Sequence, residues 1–424
     1  MHILWLNTPL LLPLDKGGKL RTWHLMRHLA RRHSLTCVSF ADPGAPTEHR
    51  IGMSEVCEEL ITIPRRESTK EGWRFHASVA RHLLDPVPYA VAQYRSAAYR
   101  RAVRNALAGG TYDRIVCDFL VPAINLPSRL PCPSILFTHN VEAEIWRRHA
   151  ETERRRVRKW LYNVQWKRML RFEGQTVARF DRVLAVSDID RDTLQRLYPR
   201  ELAAPVSVIP TGVDTAYFAP RPAVPDGARR IVFTGSMDWL PNADGVLYFC
   251  REILPLIRSA EPDVTFSIVG RSPTPEVRRL AEDRGVEVTG RVEDVRPHLA
   301  KGSVYVVPLR IGGGTRLKIF EAMAAGRAVV STTVGAEGLP AEHGKHLLLA
   351  DGAQSFADAV VTLLRDAERR HAIERAARAL VTEHYDWAAA ATHLEAAIAD
   401  TRTTRREAAA PSLPLTPIDR VKSL

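Results

Sequence analysis

Short runs of valine, isoleucine and leucine punctuate this chain, and each is followed by a stretch with apolar residues at helical spacing. In the first half the runs are His2–Asn7, Leu35–Phe40, Glu59–Pro64, Arg114–Phe119, Ser134–Asn140 and Arg182–Ser187. Helical patterns cover 18–31, 72–84, 94–108, 142–178 and 188–197. Strands apolar on both faces, alternating with helices, predict a parallel sheet covered on each side. After Pro210-Thr211-Gly212-Val213-Asp214 and the breaker-rich 219–227, the pattern restarts. The second set of strands is Ile231–Thr234, Val264–Val269, Val286–Thr289, Val304–Leu309 and Ala328–Thr332. Its helices fall near 242–258, 275–284, 294–300, 315–325, 354–366 and 368–382. The expected fold class is α/β: two tandem doubly wound Rossmann-like domains, 1–205 and 206–382, facing a cleft. A length of 424 residues agrees, since single cores stop growing at roughly 250–300 residues. The tail 401–424, with Pro411, Pro414 and Pro417, is expected to be disordered.

A net charge of +12 admits nucleic acid, an anionic membrane surface or a phosphorylated ligand as partner. The five cysteines are scattered without a C-x-x-C spacing, which argues against a metal or disulfide framework. Cys37, Cys117, Cys132 and Cys250 lie in or beside apolar runs and read as core residues; Cys57 does not. The apolar start through Leu14 lacks a basic leader and is broken by Asn7, Pro9 and Pro13. No run approaches the 18 or so residues of a membrane span. A cytoplasmic chain is expected.

The segment richest in chemistry is 304–321. An apolar strand runs into Gly312-Gly313-Gly314-Thr315, and a helix begins near Arg316. Free N–H groups at a helix start attract anions, and glycines let a phosphate approach. Arg316 and Lys318 add positive charge, and Glu321 offers a carboxylate to a ribose diol. The same residues also fit a flexible loop before an ordinary amphipathic helix. The spacing is not that of a P-loop.

From Gly313 through Glu321-Ala322-Met323-Ala324-Ala325-Gly326 to Thr332, the chain resembles the donor-site signature of the family 4 glycosyltransferases of the GT-B fold. Val208-Ile209-Pro210-Thr211-Gly212-Val213-Asp214 resembles the family's interdomain segment. Phe233-Thr234-Gly235-Ser236 resembles its phosphate-side loop, and the segments ending in Gly270-Arg271 and Val292 resemble the loops flanking the nucleobase. The resemblance covers about residues 1–400. It implies transfer of a hexose-type sugar from a nucleotide-sugar with retention of configuration, no metal and no other cofactor. Glu321 matches the second glutamate of the family's Glu-x7-Glu motif, which holds the ribose; Gly313 stands where the first would be. The family's diphosphate-binding Arg and Lys also have no match, because Ser236-Met237-Asp238-Trp239-Leu240-Pro241-Asn242 occupies that place. Arg316 and Lys318 are expected to carry the diphosphate charge instead, with Gly235, Ser236, Gly270, Arg271, Val292, Gly313, Gly314 and Thr315 around the donor. Residues 383–400 resemble the helix that crosses back to the first domain.

On the N-terminal side, Asp15-Lys16-Gly17-Gly18-Lys19 opens a helix carrying Arg21, Trp23, His24 and His28. It resembles the family's glycine loop, so Gly17 and Gly18 are expected to face the donor phosphate. His139, at the carboxyl end of a strand, reads by itself as an ordinary satisfied histidine; the resemblance makes it a contact to the donor hexose. Asp188-Ile189-Asp190 has the spacing of a metal motif, but Ser187 as N-cap with acids in the first turn accounts for it. Arg147–Arg171 interleaves arginines and lysines with Trp160, Leu161 and Trp166. That pattern suits an anionic membrane at the cytoplasmic face, and equally a solvated helix packed on its domain. No motif supports nucleic acid. The reading is a sugar transferase of exopolysaccharide type acting on a glycan or lipid-linked acceptor. The alternatives are a nucleotide-sugar epimerase, or a degenerate sugar-binding or membrane-scaffold protein.

Overall fold

The computed structural model describes residues 1–14, 17–66, 85–153, 155–221, 228–311 and 317–402. Its first sheet contains β1 His2–Pro9, β2 Ser34–Ala41, β3 Glu59–Pro64, β4 Arg114–Asp118, β5 Ser134–Phe137, β6 Arg182–Ala185 and β7 Ser207–Val208. The second contains β8 Arg230–Thr234, β9 Thr265–Val269, β10 Val286–Gly290, β11 Val304–Val307, β12 Ala328–Ser331 and β13 Leu348–Leu349. The strand orders are β3-β2-β1-β4-β5-β6-β7 and β10-β9-β8-β11-β12-β13, and the ladders are parallel. In each sheet the chain winds one way from the first strand, then returns to its other side. Such a reversal opens a crevice beyond the strands' carboxyl ends, here between β1 and β4 and between β8 and β11.

The main helices are α1 Gly17–Leu29, α2 Ala97–Gly109, α3 Glu142–Thr152, α4 Arg156–Val177 and α5 Asp188–Leu197 in the first half. The second half has α6 Leu240–Tyr248, α7 Leu317–Ala324, α8 Ala353–Arg365 and α9 Ala367–His384, before a last helix, α10 Trp387–Asp400. Successive residues of β1 point to opposite faces, and both are buried. Ile3 and Trp5 join a core with Trp23 and Leu25 of α1 and with Trp387 and Leu394 of α10. Leu4 and Leu6 join another with Tyr99 of α2 and Phe172 of α4. Each such fully buried side chain is worth about 1.5–3 kcal/mol over its exposed state.

The structure departs from the sequence reading in a few places. The helix expected over 142–178 is two helices, because Glu153 is extended and its carboxylate accepts the Arg155 N–H. No glycine or proline marks that break. It is set by α3 folding back onto α4, where Trp146 and His149 pack around Tyr162. β7 extends the first sheet to Val208, past the boundary drawn at 205. Two-residue strands such as β7 and β13 carry no periodicity of their own. Cys57 is buried, and Cys132 is the half-buried one. The expected helix over 72–84, the breaker-rich 222–227 and the tail 403–424 lie outside the described residues.

Candidate active site at the carboxyl ends of the two sheets

β8 ends in Thr234, and the chain turns at Gly235 into α6. A Cβ on Gly235 would sit 2.6 Å from Asn242 Nδ2 and 2.8 Å from Lys318 Nζ. A Cβ on Gly270 would lie 1.8 Å from the Gly235 carbonyl oxygen. Gly270, against backbone and at φ 153°, is therefore closed to any larger residue, whereas a side chain at Gly235 would push the Asn242 and Lys318 head groups out of place. Lys318 reaches over from the first turn of α7. Its ammonium donates to Asn242 Oδ1 at 2.7 Å and lies 4.2 Å from the Phe233 ring centre. The sequence lacks a lysine on the β8–α6 loop, and the structure brings one there from another element. Arg271 Nε donates to Ser236 Oγ at 2.8 Å, closing the outer side of that loop. The half-buried Val292 side chain packs against the core of the second domain. Gly313, Gly314, Thr315 and Arg316 lie outside the described residues.

Glu321, one turn beyond Lys318, is half-buried near Tyr305. Desolvation pushes its carboxyl up to about 7, against the opposing pull of the Lys318 charge. A group held between its two charge states can gain from hydroxyl donors that a ligand brings.

Across the crevice, α1 starts at Gly17, whose Cβ position is 3.4 Å from Leu317 Cδ1 at the start of α7. The two helix starts therefore meet. The Gly18 Cβ position is 2.6 Å from the Phe119 ring. Phe119 follows β4 at φ 68°, a strained conformation for a bulky residue. Its ring stacks on His139, with centroids 3.7 Å apart. His139 Nε2 bonds to Asp118 Oδ1 at 2.7 Å, while Thr22 Oγ1 donates to Asp118 Oδ2 at 2.5 Å. Burial lowers the His139 pKa despite the Asp118 charge. The imidazole is thus neutral, with its proton on Nε2 toward the carboxylate, and Nδ1 presents a lone pair. That nitrogen is buried and without a partner among the described residues. It can accept a hydrogen from a ligand hydroxyl.

The structure thus groups Gly17, Gly18 and His139 on one side and Gly235, Ser236, Gly270, Arg271, Lys318 and Glu321 on the other. Sequence reasoning missed Asp118, Phe119 and Asn242. Asp118, an acid ending an apolar parallel strand, was open to detection by position alone. Glu144 is held by Arg147 and Arg148, and Asp188 pairs with Arg191 while Ser187 caps α5. The basic start of α4 is open: Val157 is 73% and Trp160 61% exposed, among exposed Arg155, Arg156, Arg158 and Lys159. Among the described residues no helix is long and apolar enough to cross a membrane.

A family model described as Glycosyltransferase Family 4 matches residues 16–217, and one described as Glycosyl transferases group 1 matches residues 228–366. A phosphatidyl-myo-inositol mannosyltransferase of Mycolicibacterium smegmatis is 33% identical over 214 residues, which are 48% of this chain and 53% of that protein. The chain thus spans about half the length of that relative. The protein of the same description from Mycobacterium tuberculosis is 27% identical over 84% of this chain and 93% of its own. Among solved structures, Anabaena Alr3699/HepE in complex with UDP and glucose superposes with a TM-score of 0.63 at 15% identity, covering 94% of this chain and 99% of that one. That likeness is one of fold.

Proposed function

The chain belongs to the family 4 glycosyltransferases, and from that premise we propose that it moves a hexose-type sugar, with retention of configuration, from a nucleotide-sugar donor to a glycan or lipid-linked acceptor. One observation carries the reading. Lys318 sets its ammonium beside Gly235 and Asn242 at the mouth of β8, one turn from the desolvated Glu321, while the adjoining Leu317 meets the start of α1. That is a cation for a diphosphate next to a carboxylate for a ribose. In the proposed reaction the bond between the anomeric carbon and the phosphate oxygen breaks, and its electron pair stays on the diphosphate. The acceptor hydroxyl bonds to the anomeric carbon on the same face, and its proton passes to the leaving phosphate. Lys318 and the N–H groups at the helix starts stabilise charge as it grows there, where preorganised donors are most effective. No metal enters the scheme. His139 Nδ1 orients a sugar hydroxyl. The mannosyltransferase relatives favour transfer over epimerisation. Their names also specify phosphatidylinositol acceptors, in keeping with the exposed basic start of α4 lying on an anionic membrane at the cytoplasmic face.

The test is calorimetric titration of UDP, GDP and their sugars, with donor turnover assayed alongside. Lys318→Met is expected to weaken nucleoside diphosphate binding by roughly tenfold to a hundredfold. Unchanged affinity would remove Lys318 from the site.

A further inference from the structure

Arg21 has no role in the scheme above, although it lies in the same crevice. It sits on the second turn of α1 and is 7% exposed. It makes no hydrogen bond or ion pair with any described residue, and its Nε is wholly buried and unpartnered. Asp118 and Asp190 act on it only through space. Both oxygens of Asp118 are taken, by Thr22 and His139. Asp190 is bonded to the Ser187 hydroxyl at 2.6 Å. Burial lowers the guanidinium pKa to about 10, so it stays charged at neutral pH. Stranding a charge in this way is costly unless something arrives to meet it.

Asp118, which acts on Arg21, ends β4, and the end of β1 beside it carries two more buried groups without a partner among the described residues. Asn7 and Thr8 close β1, the strand beside β4. Asn7 Oδ1 accepts the Thr8 N–H at 2.8 Å, so its amide NH2 is left to find another partner. Asn7 Nδ2 and Thr8 Oγ1 are both buried without a partner among the described residues. Guanidinium and amide donate only, and the hydroxyl can donate. Beside His139 Nδ1, the acceptor already described, the orphan groups here are donors, and a charged guanidinium among them fits a group that accepts and bears negative charge: a carboxylate or a phosphate. The donor diphosphate has its own cation in Lys318, on the other side of the crevice.

Resting on the transferase reading, we propose that Arg21 is a specificity-determining residue that reads a negative charge borne by the substrate beside the hydroxyl held at His139, separate from the donor diphosphate. The charge is either the carboxylate of an acidic sugar on the donor or the phosphate of an anionic acceptor.

The experiment uses the full chain with Arg21→Met and Arg21→Lys. Inorganic phosphate is titrated in the presence of saturating UDP or GDP, which fills the diphosphate site; this arm reports an acceptor-borne phosphate. UDP-glucuronate is compared with UDP-glucose for a sugar-borne carboxylate. Arg21→Met is expected to cost roughly tenfold to a hundredfold in one of these two arms and to leave UDP and GDP binding within about twofold. The lysine variant should recover part of the loss. Ligand-free Arg21→Met should also melt at or above the wild-type temperature, because a stranded charge has gone; an arginine that merely holds the fold would give the opposite shift. The proposal is overturned if Arg21→Met melts lower, if it loses UDP and GDP binding along with the anion, or if both arms match wild type. Should the wild-type protein bind no nucleotide, the transferase reading fails instead, and phosphate titrated alone still reports on Arg21.

Discussion

In the proposed reaction, Glu321 is the single residue that would couple donor binding to pH. Its surroundings raise its pKa from 4.5 to about 7, so the ligand-free fold binds a proton there that the unfolded chain would already have released. Its contribution therefore lowers stability as pH rises from 4.5 to about 7. Ribose hydroxyls need the ionised form. Nucleotide affinity should accordingly rise with pH through about 7, being roughly tenfold weaker at pH 6 than at pH 8. Calorimetric titrations across that range measure it. Glu321→Gln should flatten the profile at the weak end; a variant that kept the slope would place the titrating group elsewhere. At the same scale, Gly270 lies so close to the Gly235 backbone that it tolerates no side chain.

At the scale of elements, α3 and α4 form a helical hairpin on the first domain. The end opposite its hinge is fixed from within by Glu173 of α4, fully buried, which accepts the N–H groups of Glu142 and Ala143 at 2.9 and 3.1 Å and the Tyr198 hydroxyl at 2.7 Å. The carboxylate satisfies the orphan amides at the start of α3, which has no side-chain cap of its own. With one end tied down, the start of α4 is presented outward with Val157 and Trp160 one turn apart among cations. Cosedimentation with vesicles rich in phosphatidylglycerol should show binding that weakens with salt, and little binding to neutral phosphatidylcholine. Trp160→Ala should reduce it several-fold by removing the residue suited to the interface. Equal binding by that variant would count against α4 as the docking element.

For the whole molecule, α10 decides how the halves are joined. It follows α9 of the second domain, yet its buried face completes the core beneath α1. Trp387 stacks on His24 with centroids 5.1 Å apart, and the Gly212 Cβ position lies 2.6 Å from its ring. The Thr215 hydroxyl donates to Asp386 at 2.5 Å, tying the interdomain segment to the same point. Trp387→Ala should lower unfolding free energy by about 3–5 kcal/mol, as truncations of large buried aromatics do. Denaturant titration followed by circular dichroism would read it, and a loss below about 1 kcal/mol would mean the joint carries little of the stability.

The sequence by itself determined the two-sheet architecture, because a residue's neighbours along the chain dictate whether an apolar run is buried on one face or two. β3 and α5 fall on the residues their patterns mark, and Glu321, His139 and the glycines could be named from spacing and resemblance. Contacts between distant segments were decided only in three dimensions. The break at Glu153 follows from one helix folding onto another. The lysine absent from the β8–α6 loop is supplied by α7, since an ammonium on a four-carbon stem can arrive from any element within reach. Asp118 matters because β4 lies beside β1 and β5, a pairing that the sheet order creates. Arg21 reads as an ordinary helix residue until the fold buries it and gives both nearby carboxylates to other partners, leaving its charge for a ligand.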